Sequence, residues 1–144
     1  MTEKVERFLR AVDKTFPVPL SERQDLTDFA KKLIEKATIC TKTADGEIVS
    51  LVAGYTENTT ENMGYISVVA TKEEYRGQGL AKELLREFID VAEAKGLSAV
   101  HLYAVPENTA AINMYENLGF EPYIVKGEPR PDDAHLIYYI GDKL

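Results

Sequence analysis

Arg76, Gly77, Gln78, Gly79, Leu80 and Ala81 stand in a row just ahead of an apolar-periodic stretch, and residues of these types in that order suit the capture of an anion. Glycine costs roughly 0.5–1 kcal/mol more than alanine to order in a helical turn, so two of them at a helix start need an offset. A ligand that must come closer to the main chain than a side chain allows is one offset; an ordinary glycine-containing loop is the competing reading. The unpaired N–H groups of a helix start point outward, and the helix dipole adds positive potential there. About thirty residues further on, Asn108 and Tyr115 lie seven positions apart, two helical turns, and so share one face of a helix.

Two common phosphate signatures do not fit this turn. The triphosphate-binding pattern G-x-x-x-x-G-K-[ST] fails because Leu80 and Ala81 follow Gly79. The dinucleotide fingerprint G-x-G-x-x-G fails because Lys82 stands in the third glycine position and no acidic residue ends the next strand.

The elements around these residues follow from periodicity. Val5, Phe8, Leu9 and Val12 predict a helix over 3–14. Pro17 and Pro19 break it, and Ser21 is placed to cap a second helix carrying Leu26, Phe29, Ala30, Leu33 and Ile34 to about residue 36. A β-branched region then predicts strands near 37–43, 47–56 and 63–71, with Asp45 and Gly46 as a two-residue hairpin turn and 58–62 as a second turn. Leu80, Leu84, Leu85, Phe88, Val91 and Ala92 mark a long helix over 77–95 with Gly96 as its stop, followed by a strand over 98–104. Asn108 caps a short helix that ends before Gly119, and the apolar runs at 121–126 and 135–140 predict two last strands. This order implies a mixed α/β sheet with helices on both faces, and 63–71, 77–95 and 98–104 should form a right-handed parallel crossover.

The bulk numbers narrow the class. A chain of 144 residues with 44% hydrophobic and 28% charged residues reads as one globular domain. No apolar run approaches the roughly 20 residues that span a bilayer, so no membrane is expected. The formal charge of −7 argues against nucleic acid as partner. One cysteine, Cys40, rules out an internal disulfide and suits a cytoplasmic setting, with Cys40 itself read as a buried structural thiol. No His/Cys cluster has ligand spacing, so no metal is expected.

Taken together, the two constellations resemble the GNAT acetyltransferase superfamily. Arg76-Gly77-Gln78-Gly79-Leu80-Ala81 matches its pyrophosphate turn [QR]-x-x-G-x-[GA] at each specified position. Asn108, Ala111, Tyr115, Gly119 and Phe120 match its later motif N-x-x-A-x-x-x-Y-x-x-x-G-F. The resemblance covers about residues 20–141 and implies the acyl-CoA N-acyltransferase fold, a central, mostly antiparallel sheet with one parallel crossover. It departs in one respect: such domains usually start with a strand, whereas this chain opens on a helix, so the sheet edge is expected to be incomplete or built from another segment.

The resemblance implies acetyl-CoA or a related acyl-CoA as acyl donor and a primary amine as acceptor, joined by direct attack in a ternary complex; with no targeting module or extra domain in the sequence, a small-molecule amine is expected. The pyrophosphate would rest on the N–H groups of Gly77, Gln78, Gly79, Leu80 and Ala81, with Arg76 as added cation. Gly79 and Ala81 would be small to admit it, or else to pack the helix tightly on the sheet. The pantetheine arm would lie along the backbone of Val68, Val69 and Ala70, one N–H polarising the thioester carbonyl. Asn108 is a helix cap and a ligand contact. Tyr115 is implied as the general acid for the departing thiolate. The general base stays open among Glu57, Tyr65, Ser67, His135 and Tyr139, and His101 reads as a structural strand residue. The acceptor is expected among residues 17–20, the second helix and the 127–134 loop. Many members of the family pair as homodimers, an expectation to which no residue pattern here adds. Two rivals remain: a non-catalytic acyl-CoA-binding or sensing domain, and a nucleotide-binding domain using the same turn.

Overall fold

In a computed structural model the chain is described at residues 1–57 and 59–141. The N-terminal stripe forms α1 (Thr2–Val12), which buries Val5, Phe8, Leu9 and Val12. A 3-10 turn at Asp13–Thr15 follows. α2 (Leu26–Lys36) buries Leu26, Phe29, Ala30 and Leu33. Its N-cap is Asp25, whose carboxylate accepts from the Asp28 N–H at 3.0 Å, and not Ser21. Ser21 instead donates from its N–H and its hydroxyl to the Asp13 carboxylate, at 2.8 and 2.6 Å. That pair ties the α1–α2 loop down, which a cap at Ser21 could not do.

Among the described residues six strands form one sheet: β1 (Thr38–Ala44), β2 (Glu47–Tyr55), β3 (Met63–Thr71), β4 (Ala99–Ala104), β5 (Glu121–Pro122) and β6 (Ala134–Tyr139), in the order β1-β2-β3-β4-β6-β5. Only β3 and β4 run parallel. Among the described residues no strand precedes α1, and β1 takes the edge of the sheet. Asp45 (φ 52°) and Gly46 (φ 78°) make the expected β1–β2 turn. The turn expected over 58–62 keeps Glu61 and Asn62 at positive φ; Asn58 lies outside the described residues.

The crossover between β3 and β4 is α3 (Leu80–Ala94), with Leu84, Leu85, Phe88, Ile89 and Ala92 inward. It starts at Leu80 rather than at residue 77, because Gly77 and Gly79 sit at φ +80° and +77°, outside the right-handed helical region. α4 (Thr109–Leu118) follows β4. The run at 121–126 pairs only at Glu121 and Pro122, plus one bond from Tyr123 N–H to the His135 carbonyl; the rest is loop. One cluster packs α1 and α2 against β2 and β3 through Ile48, Leu51, Ala53, Val68 and Ala70. On the other face, Val52, Ile66, Val100, Leu102 and Leu136 meet α3 and α4. Cys40 is buried in that second cluster, and burial pushes its thiol up to about 11. It is an inert core group, as expected.

Candidate active site: a cleft where two parallel strands part

β3 and β4 pair over three positions only, Met63↔Ala99, Gly64↔Val100 and Tyr65↔His101. The cause lies in β3. Its ladder to β2 steps from Ala53↔Val68 to Gly54↔Ile66, so Ser67 is an extra residue opposite no partner, a β-bulge. The bulge reverses the alternation: Ile66 faces the α3 cluster, while Val68, two residues on, faces α1 and α2. It also bends β3 away from β4. Gly54 makes this bend possible, because a Cβ there would meet the Tyr65 carbonyl oxygen, the Phe88 ring at 2.8 Å and Ile66 Cα at 2.9 Å.

Between the parted strands opens a cavity of about 750 Å³. It is lined by residues 65–71 of β3 and by Leu102, Tyr103 and Ala104 of β4. Beyond Tyr65 the outer edge of β3 has no strand beside it, so its alternate main-chain groups face the cavity. At one end lie Arg76, Gly77, Gly79, Leu80 and Ala81; Asn108, Ala111 and Tyr115 of α4 line the wall. Of the residues expected here, Val68, Val69, Ala70, Arg76, Gly77, Gly79, Leu80, Ala81, Asn108 and Tyr115 all line the cavity; Gln78 is exposed and does not.

The glycine turn is open. A Cβ on Gly77 or Gly79 would meet nothing within 4 Å, so tight packing of helix on sheet is not what requires them. The left-handed φ is. Gly79 is the N-cap of α3 and supplies no side-chain cap, which leaves the first N–H groups of the helix unmatched by the chain. The Arg76 guanidinium is braced: its Nε donates to the Thr71 carbonyl at the end of β3, at 3.1 Å.

Tyr115 is held by the residues that follow it. Phe120 N–H donates to the Tyr115 carbonyl and Gly119 N–H to the Glu116 carbonyl, both at 3.0 Å. Gly119 adopts φ 114°, and the rings of Tyr115 and Phe120 lie 5.8 Å apart. These are the paired bonds and the apolar contact of a Schellman stop, so the spacing Tyr-x-x-x-Gly-Phe locks the ring in place. Burial pushes the Tyr115 phenol up to about 12. Asn108 accepts from the Ala111 N–H at 3.3 Å, the expected cap.

The opposite mouth of the cavity is lined by Thr15, Phe16, Pro17, Val18, Leu20, Arg23, Tyr103 and Arg130. Pro17, Val18, Leu20 and Arg130 belong to the loops expected to hold an acceptor, whereas α2 does not line this mouth. α2 contributes Lys32 to a smaller cavity of about 430 Å³, shared with Tyr55, Glu57, Met63, Tyr65 and His101. Tyr65 borders both. Among the base candidates, Ser67 borders the large cavity and Glu57 pairs with Lys95. Tyr139 stands opposite Ala99, at the closed end of the parting strands, and lines neither cavity. His135 is hydrogen-bonded to His101 and Glu128. Glu128 and Arg130 fall in the expected 127–134 loop but are not singled out by the sequence, because that polar loop has no periodicity, and Tyr103 carries no signal beyond strand alternation with His101. Among the described residues no group of His, Cys, Asp or Glu could hold a metal, and no helix is long and apolar enough to cross a membrane.

Comparison with known proteins agrees with this architecture. The chain is 42% identical over 60 residues to N-alpha-acetyltransferase 30 of Schizosaccharomyces pombe, a stretch covering 42% of this chain and 40% of that protein. It thus spans less than half the length of this and two further curated relatives. An acetyltransferase of the GNAT family from Staphylococcus aureus Mu50 superposes with a TM-score of 0.77 at 16% identity, covering 96% of this chain and 92% of that one. The PaiA N-acetyltransferase from Thermoplasma acidophilum, solved in complex with coenzyme A, superposes with a TM-score of 0.74 at 16% identity, over 96% and 92% of the two chains. The model of the Acetyltransferase (GNAT) family matches residues 5–120. A bulged strand leaving its parallel neighbour, a left-handed glycine turn at its end and a tyrosine pinned across the gap thus make up the candidate site of a chain that belongs to the GNAT acetyltransferase family.

Proposed function

We propose that the protein transfers an acetyl group from acetyl-CoA to the primary amine of a small molecule, by direct attack within a ternary complex. The observation that carries this reading is the continuity of the large cavity. It runs from the glycine turn, past the open edge of β3, to the mouth formed by residues 15–20, Arg23 and Arg130. A pyrophosphate at the turn is matched by outward N–H groups of Gly77, Gly79, Leu80 and Ala81 and by the positive end of α3. The open main-chain groups of Val68, Val69 and Ala70 then run beside the thioester arm, and an N–H aimed at the carbonyl stabilises charge as the amine adds.

Tyr115 supplies the proton for the departing sulfur. A phenol held near 12 stays protonated at every assay pH, so the donor is always loaded. Proton transfer to a free thiolate with an ordinary pKa near 8.5 would be uphill, so the proton moves as the carbon–sulfur bond breaks. The phenolate left behind is a strong base and recovers a proton from the attacking nitrogen. Each turnover removes two protons from the acceptor ammonium: one ends on sulfur, the other in solvent.

The test is a panel of amines with acetyl-CoA, read as free thiol release, in which short peptides with free N-termini stand beside small metabolite amines. Turnover of small amines supports the reading; turnover confined to peptides moves the acceptor class. Stabilisation by acetyl-CoA with no thiol release in the presence of any amine would leave a binding domain in place of an enzyme.

A further inference from the structure

On β4 and β6, Val100, Leu102 and Leu136 face α3 and α4, so His101, Tyr103 and His135 stand on the opposite face of the sheet. His101 and His135 are the only two histidines of the chain, and they meet: His101 Nδ1 lies 2.8 Å from His135 Nε2. His135 Nδ1 lies 2.7 Å from Glu128 Oε1. Glu128 Oε2 accepts from the Tyr103 hydroxyl at 2.6 Å and from the Arg130 N–H at 3.1 Å. The Tyr103 ring stacks on His135 at 4.1 Å, and the His135 side chain is only 7% exposed.

These contacts determine where each proton sits. The donors on Glu128, the Tyr103 hydroxyl foremost, hold its carboxyl down at about 2, so it is ionised at neutral pH. A carboxylate only accepts, so neutral His135 carries its proton on Nδ1 and a lone pair on Nε2. That lone pair requires a donor, which puts the proton of neutral His101 on Nδ1 as well. His101 Nε2 is thereby left as a lone pair, on a ring that borders the smaller cavity beside Tyr65.

We propose that Glu128, His135 and His101 form a proton-accepting chain in which His101 Nε2, at one water's remove, takes the first proton from the acceptor ammonium. The nitrogen keeps the electron pair of the broken N–H bond and attacks with it. His101 passes its Nδ1 proton to His135 Nε2, placing the imidazolium against the Glu128 carboxylate, and the reverse steps release the proton to solvent. His101 is the base; His135 and Glu128 are positioning residues. The inference rests on the acetyl-transfer reading above.

Burial foremost, then His135, holds the His101 imidazole below its ordinary value, with Glu128 acting against them. The other titratable groups around the chain are Lys32, Tyr55, Glu57 (paired with Lys95) and Tyr65 at the smaller cavity, and Tyr103, Tyr123 and Arg130 about His135. A base must be unprotonated, so kcat/KM rises with pH through a limb lying below the ordinary imidazole range. His101→Asn is expected to lower kcat/KM at least 10²-fold and to erase that limb, with stabilisation by acetyl-CoA retained. Glu128→Gln is expected to move the limb to lower pH and to lower the plateau several-fold. Long-range nitrogen–proton NMR of the full chain reads the tautomers directly, and two histidines give two resolvable rings. Both should carry the proton on Nδ1 at pH 7.5. A His101 proton on Nε2, or a His101→Asn enzyme with the wild-type limb and plateau, overturns the proton chain alone. A wild type that turns over no amine fails the reading beneath it.

Discussion

Replacing Tyr115 by phenylalanine removes one phenolic hydroxyl and little else, which makes its expected effect specific. The residue is 6% exposed and its ring rests against Phe120 at 5.8 Å. A phenylalanine ring fills the same space, and the Schellman bonds at Gly119 and Phe120 are made by main chain. Fold stability should therefore change by less than about 1 kcal/mol. Catalysis should not be so tolerant. Loss of a general acid is worth about 10²-fold or more in rate, which is about 2.7 kcal/mol on the barrier. With the phenol held near 12, only about one molecule in 10⁵ is ionised at pH 7. The loss should thus be a constant factor from pH 6 to 9, with no change in the shape of the profile. The assay is thiol release at saturating acetyl-CoA across that range, beside the shift in Tm that acetyl-CoA produces. A variant within three-fold of wild type in kcat would refute the acid role, and so would a loss of turnover matched by an equal loss of acetyl-CoA affinity.

Gly79→Val should fold, since its Cβ would meet nothing within 4 Å and the cost is the left-handed φ, about 1–2 kcal/mol. CoA at a hundred times its Kd should raise wild-type stability by about 2.7 kcal/mol and the variant by none; an undiminished shift would contradict a pyrophosphate site at this turn. Gly54→Ala drives a methyl group into backbone on the far side of the bulge, so it should cost about 3 kcal/mol and lower Tm by roughly 10 °C; a Tm within 2 °C of wild type would show that the bend of β3 does not depend on it. Asp13→Asn weakens the tie to Ser21, whose bonds hold the Asp13 carboxyl below its ordinary value. A depressed carboxyl stabilises above the unfolded-state pKa and loses that as pH falls, so the Tm gap between wild type and variant should be open at pH 7 and close below about pH 4; a gap unchanged at pH 3 would refute that account.

The parts of the fold legible in the sequence were those governed by local rules. Helical stripes, the Asp45–Gly46 turn, the cap at Asn108 and the stop at Gly119 each follow from a few neighbouring residues, and all stand where periodicity and capping put them. The misplaced features depend on distant partners. Ser21 has the chemistry of a cap, but Asp13, eight residues earlier, takes both of its donors. Pro122 and the loop beyond it end the pairing of residues 121–126 after two positions, although the run is apolar enough for a longer strand. The bulge at Ser67 left no mark in "GYISVVA", because its cause is Gly54 on the neighbouring strand.

The same division separates the two substrates' sites. The proposed donor site is made of main chain, and main chain that must adopt φ +80° or a Schellman stop advertises itself through glycine. Such a site can be found from spacing alone. The proposed acceptor side is made of side chains that converge from β3, β4, β6 and the loop before β6, and the contact of His101 with His135 there joins residues 34 positions apart. No local rule demands a histidine at either position. What couples the two sides is geometry: the bulge that frees the β3 edge for the proposed thioester arm also leaves Tyr65 and His101 as the last pair before the strands part. Tyr65 borders both cavities at that fork, so a change in acceptor can proceed by replacing side chains there without disturbing the backbone that would hold the donor.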